Sequence, residues 1–343
     1  MKKYILILAV LLLLPGLLSA KTFAKTGTAG LQFLKLGIDA RAIGMAEAYT
    51  AVTNDISSVY WNPAGLALNP QDQILFSHTE YVANIRHEFF AISKKSSIGT
   101  FAFFASALHM DWMDVYIEDS FDVPTGEQFT CYDLAGGLTY ANSFTDKFAF
   151  GFTAKYLREK LDEYAVDGMS VDLGSLYNTG WKNVTIGMSL RNFGPNMKFE
   201  LDNDDDGEFD EDPFDLLDND GDGLIDEDRE ETDFKIPMNF SLGVSADIYR
   251  VDDNNFLIGS VQLDNCVDRK ETYNLGFEYT MGTFKIRSGY QFEYDAAGYS
   301  GGFGWTIPTS FAIISIDYAY TDFGDLAENF IKTPHRLSIK LFY

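Results

Sequence analysis

The chain has 343 residues, with 26 basic and 51 acidic side chains, a formal charge of −25, and 46% hydrophobic residues. Binding to phosphate depends on Lys and Arg clusters that are absent here, so nucleic acid is excluded as an expected partner. Beyond the first twenty residues, no stretch offers the roughly 18 consecutive apolar residues of a spanning helix.

Lys2 and Lys3 precede an apolar run from Tyr4 to Leu14, a Pro15-Gly16 break and the small pair Ser19-Ala20. This is the layout of a secretory signal peptide, with cleavage expected after Ala20 or Ala24. Residues 1–20 are read as leader, 21–72 as an N-terminal segment and 73–343 as the body of the protein. No Cys follows the leader to carry a lipid anchor. An exported chain that enters a membrane without a spanning helix must do so as a closed barrel, because only helices and barrels satisfy their backbone in lipid.

From Arg41 to Leu66 the chain reads RAIGMAEAYTAVTNDISSVYWNPAGL. Pro63 lacks an N–H and pushes Asn62 out of the helical region, while Gly65 tolerates positive φ, so a sharp turn is expected after Tyr60-Trp61. Ala40-Arg41-Ala42, Gly44-Met45, Ala48-Tyr49-Thr50-Ala51-Val52, Asp55 and Tyr60-Trp61-Asn62-Pro63-Ala64-Gly65-Leu66 resemble the N-terminal signature of the PorV/PorQ family of outer-membrane proteins, relatives of the FadL-type fatty-acid channels. The chain departs from that signature at Ala46 and Glu47, where two glycines are expected for close backbone packing. The resemblance implies that residues 21–72 form a plug inside the barrel, with Arg41, Trp61, Asn62, Pro63, Ala64 and Gly65 as its motif. It further implies a partner of a type IX secretion translocon that receives exported cargo. The FadL relationship implies instead a passive transporter of a hydrophobic solute.

From Gln73 onward the dominant signal is period-two alternation, one face apolar and the other polar. Tyr273, Leu275, Phe277 and Tyr279 alternate with Thr272, Asn274, Gly276 and Glu278; Leu337, Ile339, Leu341 and Tyr343 alternate with Arg336, Ser338 and Lys340. Runs of about ten residues suit tilted strands crossing the hydrocarbon layer. Fourteen are predicted: 73–81, 86–94, 97–110, 129–141, 147–160, 164–177, 182–193, 234–248, 255–264, 271–280, 283–293, 298–307, 310–321 and 333–343. The fold expected is therefore all-β, a fourteen-stranded antiparallel transmembrane barrel embedded in outer-membrane lipid. The long connections 111–128, 194–233 and 322–332 fall on one end and tight turns such as Asn142–Thr145 on the other, the asymmetry of an outer-membrane barrel. A soluble β-sandwich also alternates, but the chain stops on the apolar-alternating Leu341-Phe342-Tyr343, and a C-terminal aromatic resembles the recognition signal of barrel-insertion machinery.

Cys131 and Cys266 permit one disulfide in an exported protein or two unpaired small residues. Residues Asp202 to Asp233 hold 18 acidic side chains against the single basic Arg229, a net of −17. Within this insertion, 196–233, two copies of one pattern occur: Asp202, Asp204, Asp206, Gly207 and Asp210, then Asp218, Asp220, Asp222, Gly223 and Asp226. Alternate Asp residues followed by Gly place several carboxylates around one cation, so structural calcium is expected, in loops similar to thrombospondin-type calcium repeats. Both copies lack the position-12 Glu of an EF-hand, with Pro213 and Arg229 there instead. The competing reading is a solvated acidic linker.

Catalytic signatures are missing. His78, His87, His109 and His335 show no metal spacing, and no G-x-S-x-G elbow, phosphate-binding Gly loop or CxxC pair occurs. Asp133, Asp172 and Glu278 on the polar face are the acidic groups a lumen would carry in any case. A non-enzymatic protein is expected.

Overall fold

A computed structural model describes residues 27–81, 84–116, 124–162, 164–198, 234–294, 298–323 and 333–343. The leader and the eight Asp residues of the predicted calcium loops lie outside the described residues.

The N-terminal segment carries two short helices, α1 (Ala40–Gly44) and α2 (Ser58–Trp61), and 3₁₀ turns at Gln32–Lys35 and Pro63–Leu68. The strands follow in chain order: β1 (Gln73–Glu80), β2 (Arg86–Ser96), β3 (Gly99–His109), β4 (Met113–Asp114), β5 (Gln128–Phe129), β6 (Cys131–Ser143), β7 (Phe148–Leu161), β8 (Tyr164–Asn178), β9 (Thr185–Phe193), β10 (Asn239–Asp252), β11 (Asn255–Cys266), β12 (Thr272–Met281), β13 (Phe284–Phe292), β14 (Tyr299–Pro308), β15 (Ile313–Thr321) and β16 (His335–Phe342). β4 and β5 pair only with each other in a small hairpin; the other fourteen form a closed antiparallel barrel. Closure is made by the first and last strands, with Gln73 opposite Phe342 and Glu80 opposite His335. A closed ladder leaves no strand edge to lipid, which is why the architecture tolerates a hydrocarbon surround. No helix among the described residues is long and apolar enough to cross a membrane.

The two faces of the wall are inverted relative to a soluble protein. Along β7, Phe148, Phe150, Phe152 and Tyr156 are exposed, while Ala149, Gly151, Thr153, Lys155 and Leu157 are buried. The same holds on β16, where Leu337 and Ile339 are exposed and Arg336, Ser338 and Lys340 are buried. A soluble sandwich would bury the aromatic face between its sheets. The aromatic face here points outward, as a lipid-facing surface requires.

Strand boundaries depart most from expectation at β10, predicted from residue 234 and observed from Asn239. Pro237 has no N–H to give to a ladder, and Ile236 instead packs in a buried cluster with Leu31, Phe33 and Met197. The disulfide alternative is corrected: Cys131 begins β6 and Cys266 ends β11, with four strands between them in the barrel, and both thiols are free. Cys266 Sγ donates to Asp268 Oδ1 at 3.0 Å.

Candidate functional site

Residues 38–67 run along the polar face of the barrel wall and touch strands around its circumference. α1 contacts β13, β14, β15 and β16, whereas the Pro63–Leu68 turn contacts β3, β6, β7 and β8. The segment thus packs against strands on both sides of the closed barrel. Two devices hold it there.

The first is a network of buried charge. Arg41 makes a two-pronged pair with Glu278 of β12, Nε to Oε2 at 2.9 Å and Nη2 to Oε1 at 2.8 Å. Its remaining arm donates to Asn54 Oδ1 at 2.8 Å and Asp55 Oδ2 at 3.1 Å, and its guanidinium lies 5.3 Å from the Tyr49 ring centre. Glu278 also accepts from Arg287 Nε at 2.6 Å, and Arg287 Nη1 reaches Asp317 Oδ1 at 2.7 Å. On β16, Lys340 Nζ donates to Asp39 at 2.6 Å and Asp55 at 2.7 Å. Burial opposes ionisation of Asp55, yet Lys340 and Arg41 hold its carboxyl well below the usual range. Asp39 is pushed upward, because its burial outweighs Lys340 and the neighbouring Asp55 adds repulsion. Charges so placed exclude water only because each has a partner, and pairs of this kind fix geometry more than they add stability.

The second device is a belt of inward-facing glycines on which the segment's backbone rests. A Cβ on Gly276 of β12 would overlap the carbonyl oxygen of Met45, and one on Gly187 of β9 would overlap that of Thr50. Gly151 of β7 and Gly174 of β8 lie against Pro63 and Asn62 in the same way. Between them, on β11, Gln262 Oε1 accepts from Tyr49 N at 3.0 Å and Thr50 N at 2.8 Å, so the wall offers hydrogen bonds where it does not offer space.

The structure buries the motif residues Arg41, Trp61, Asn62, Pro63, Ala64 and Gly65 together in this segment. Asn62 is extended (φ −161°) ahead of Pro63, as the residue before proline should be. Its Nδ2 donates to Thr50 O at 2.9 Å and to Ser175 O of β8 at 3.1 Å, and its Oδ1 accepts from Ala64 N. Trp61 is 1% exposed, and its indole N–H meets Ile38 O at 3.1 Å. Gly65, expected at positive φ, is absent from the left-handed residues; glycine is required there because a side chain would strike Thr53 and Ser58. Positive φ instead occurs at Ala46 (52°) and Glu47 (61°), the two positions where the signature carries glycine. Both residues therefore hold a backbone conformation that side chains other than glycine adopt only under strain.

Of the lumen carboxylates, Glu278 belongs to the arginine network and Asp172 pairs with Lys155 at 2.7 Å. Reading the sequence alone placed Asp55 in the signature and Arg287, Asp317 and Lys340 on polar strand faces without showing that they pair, and it gave Asp39 no role. Among the described residues no cluster of His, Cys, Asp and Glu has metal-ligating geometry. Two small cavities remain between segment and wall. One, of about 20 Å³, is lined by residues including Phe33, Leu34, Phe89 and Phe104, and the other, of about 10 Å³, includes Glu47, Arg191 and Arg269. Each is about the size of a single water site.

Comparison with known proteins agrees with this architecture. The toluene transporter TbuX of Ralstonia pickettii superposes with a TM-score of 0.52 at 12% identity, over 90% of this chain and 97% of that one. The monoaromatic hydrocarbon channel CymD gives 0.52 at 12%, over 89% and 97%. The toluene transporter TodX of Pseudomonas putida gives 0.50 at 10%, over 87% and 96%. These likenesses agree with the fold, a closed antiparallel barrel of fourteen strands. No curated protein matches the sequence. A family described as Type IX secretion system protein PorV matches residues 19–267, which hold both the signature segment and strands β1 to β11. The chain therefore belongs to the PorV family of outer-membrane proteins.

Proposed function

We propose that the protein is a non-enzymatic component of type IX secretion, a barrel closed by its N-terminal plug that assists the release or surface attachment of exported proteins. The observation that carries this reading is the family match over residues 19–267. A segment held by buried ion pairs, with two water-sized cavities beside it among the described residues, suits a barrel that works at its outer surface. Deleting the gene is expected to lower surface-attached proteins while growth on long-chain fatty acids and other hydrophobic solutes stays nearly intact. A specific uptake defect with normal surface proteins would reject this reading in favour of passive transport of a hydrophobic solute; TbuX and TodX are described as toluene transporters.

The acidic insertion is proposed to bind calcium through Asp202, Asp204, Asp206 and Asp210 and through Asp218, Asp220, Asp222 and Asp226. Support comes from the repeated Asp spacing with Gly at the same offset in both copies. Affinity of the order of 10⁻⁴–10⁻³ M is expected, as in extracellular modules, and magnesium should substitute poorly because it keeps its waters. Protease protection between Leu201 and Thr232 should then depend on calcium. Identical cleavage with calcium and with chelator would leave a solvated linker.

A further inference from the structure

The segment Ala29–Leu36 lies at the long-connection end of the barrel, before the chain descends into the lumen. Three clips fasten it as a strap. Gly30 N donates to Lys235 O at 3.0 Å, Leu31 N donates to Glu159 Oε2 of β7 at 3.2 Å, and Asp268, between β11 and β12, accepts from both Gln32 Nε2 at 3.0 Å and Lys35 Nζ at 2.9 Å. Beneath the clips, Leu31, Phe33 and Leu34 are buried at 0%, 3% and 7% exposure, in a cluster with Ala135, Leu157, Val166, Met197 and Ile236. Leu31 adopts left-handed backbone (φ 50°, ψ 43°) to place these side chains, a conformation that a bulky residue holds only under constraint.

The strap is thus a single 3₁₀ turn, polar–aromatic–aliphatic–Lys over Gln32–Lys35, seated in an apolar pocket beside a carboxylate. Nothing in the wall requires that the peptide come from the same chain. We propose that this pocket is a peptide-binding site whose resident strap is displaceable, and that its competitor is a polypeptide segment that forms the same turn and carries an aromatic–aliphatic pair followed by Lys. Phe33 and Leu34 mark the subsites for the apolar pair, and Asp268 marks the one for the ammonium group. The source of that competitor, an exported polypeptide, rests on the secretion reading; the site itself does not. An intramolecular occupant lowers the apparent affinity for any competitor by the fraction of molecules in which the pocket is vacant, so the unaltered protein binds such peptides weakly until the strap lifts.

The test uses the purified full-length protein in detergent and a fluorescein-labelled peptide of residues 28–36, followed by anisotropy. Phe33→Ala with Lys35→Ala weakens the strap in the protein but leaves the pocket intact. Peptide binding should tighten about tenfold relative to the unaltered protein. Adding Asp268→Asn should reverse most of that gain, and a peptide with Glu in place of its Lys should bind poorly to both. Should the double variant fail to fold, judged by loss of heat-dependent gel mobility, Gln32→Ala with Lys35→Gln releases the Asp268 clip alone and should shift binding in the same direction. Equal binding to strapped and strap-weakened protein, or indifference to the Lys-to-Glu change, would overturn the proposal. Peptide binding together with normal surface proteins in the deletion strain would reject the secretion reading and leave the strap site standing. A secretion defect without peptide binding would do the reverse.

Discussion

Glu278→Ala is expected to loosen the N-terminal segment from the wall and to destabilise the folded barrel by about 3–5 kcal/mol, the range for breaking a buried ion pair and stranding its partner. Two guanidinium groups lose their shared counter-ion at once, since Arg41 and Arg287 both rest on this carboxylate. The temperature at which the compact, unboiled species converts to the unfolded band should fall clearly. Trypsin should gain access to Arg41, which is 8% exposed in the docked segment. Asp167→Asn provides the contrast. It removes an equally short pair, with Arg158 at 3.0 Å, but both partners are substantially exposed, and such pairs contribute about 0–1 kcal/mol. Equal shifts for the two variants would show that the lumen network holds nothing in particular.

Gly276→Leu tests the glycine belt by shape alone. The first atom of the new side chain meets the Met45 carbonyl and the Ala48 methyl, and neither belongs to a flexible group that can swing aside. Overpacking of this kind costs about 1–3 kcal/mol where neighbours can adjust, and here adjustment means lifting the segment. Cleavage after Arg41 in the folded barrel should rise strongly. Gly136→Leu is the control, because that glycine's nearest atom is the Phe104 carbonyl at 3.8 Å, ordinary contact distance. Protection of Arg41 equal to wild type in both variants would remove the belt from the argument.

The barrel was legible in the sequence because its wall separates two media, and a strand between lipid and a polar lumen must alternate at every step. Tyr273 to Tyr279 and Leu337 to Tyr343 show it without help from any neighbour. The segment's anchoring was less legible. Asn62, Pro63 and Trp61 carry local chemistry that can be read in place. Lys340 and Asp39 stand 301 positions apart, and no local pattern says which lumen charge will meet which residue of the segment. The glycines of the belt were visible as members of the polar face, but their purpose appears only when a second backbone is laid against them. Ala46 and Glu47, where the signature leads one to expect glycine, both adopt left-handed backbone.

The meeting of Lys340 with Asp39 and Asp55 also constrains the order of assembly. Ala40 N donates to Ser338 Oγ at 2.8 Å, and Ser338 in turn bonds Ser77 on β1. Strand β16 thus closes the wall against β1 and clasps the N-terminal segment at the same seam. Contacts of such long sequence separation form late, because the intervening loop must be closed before they can reward it. A barrel that sealed first would have to admit some thirty residues of polar backbone past a finished rim, whereas one that curls around them encloses them as it closes. The C-terminal strand therefore serves as both seam and fastener, and damage to it should leave chains open and empty together.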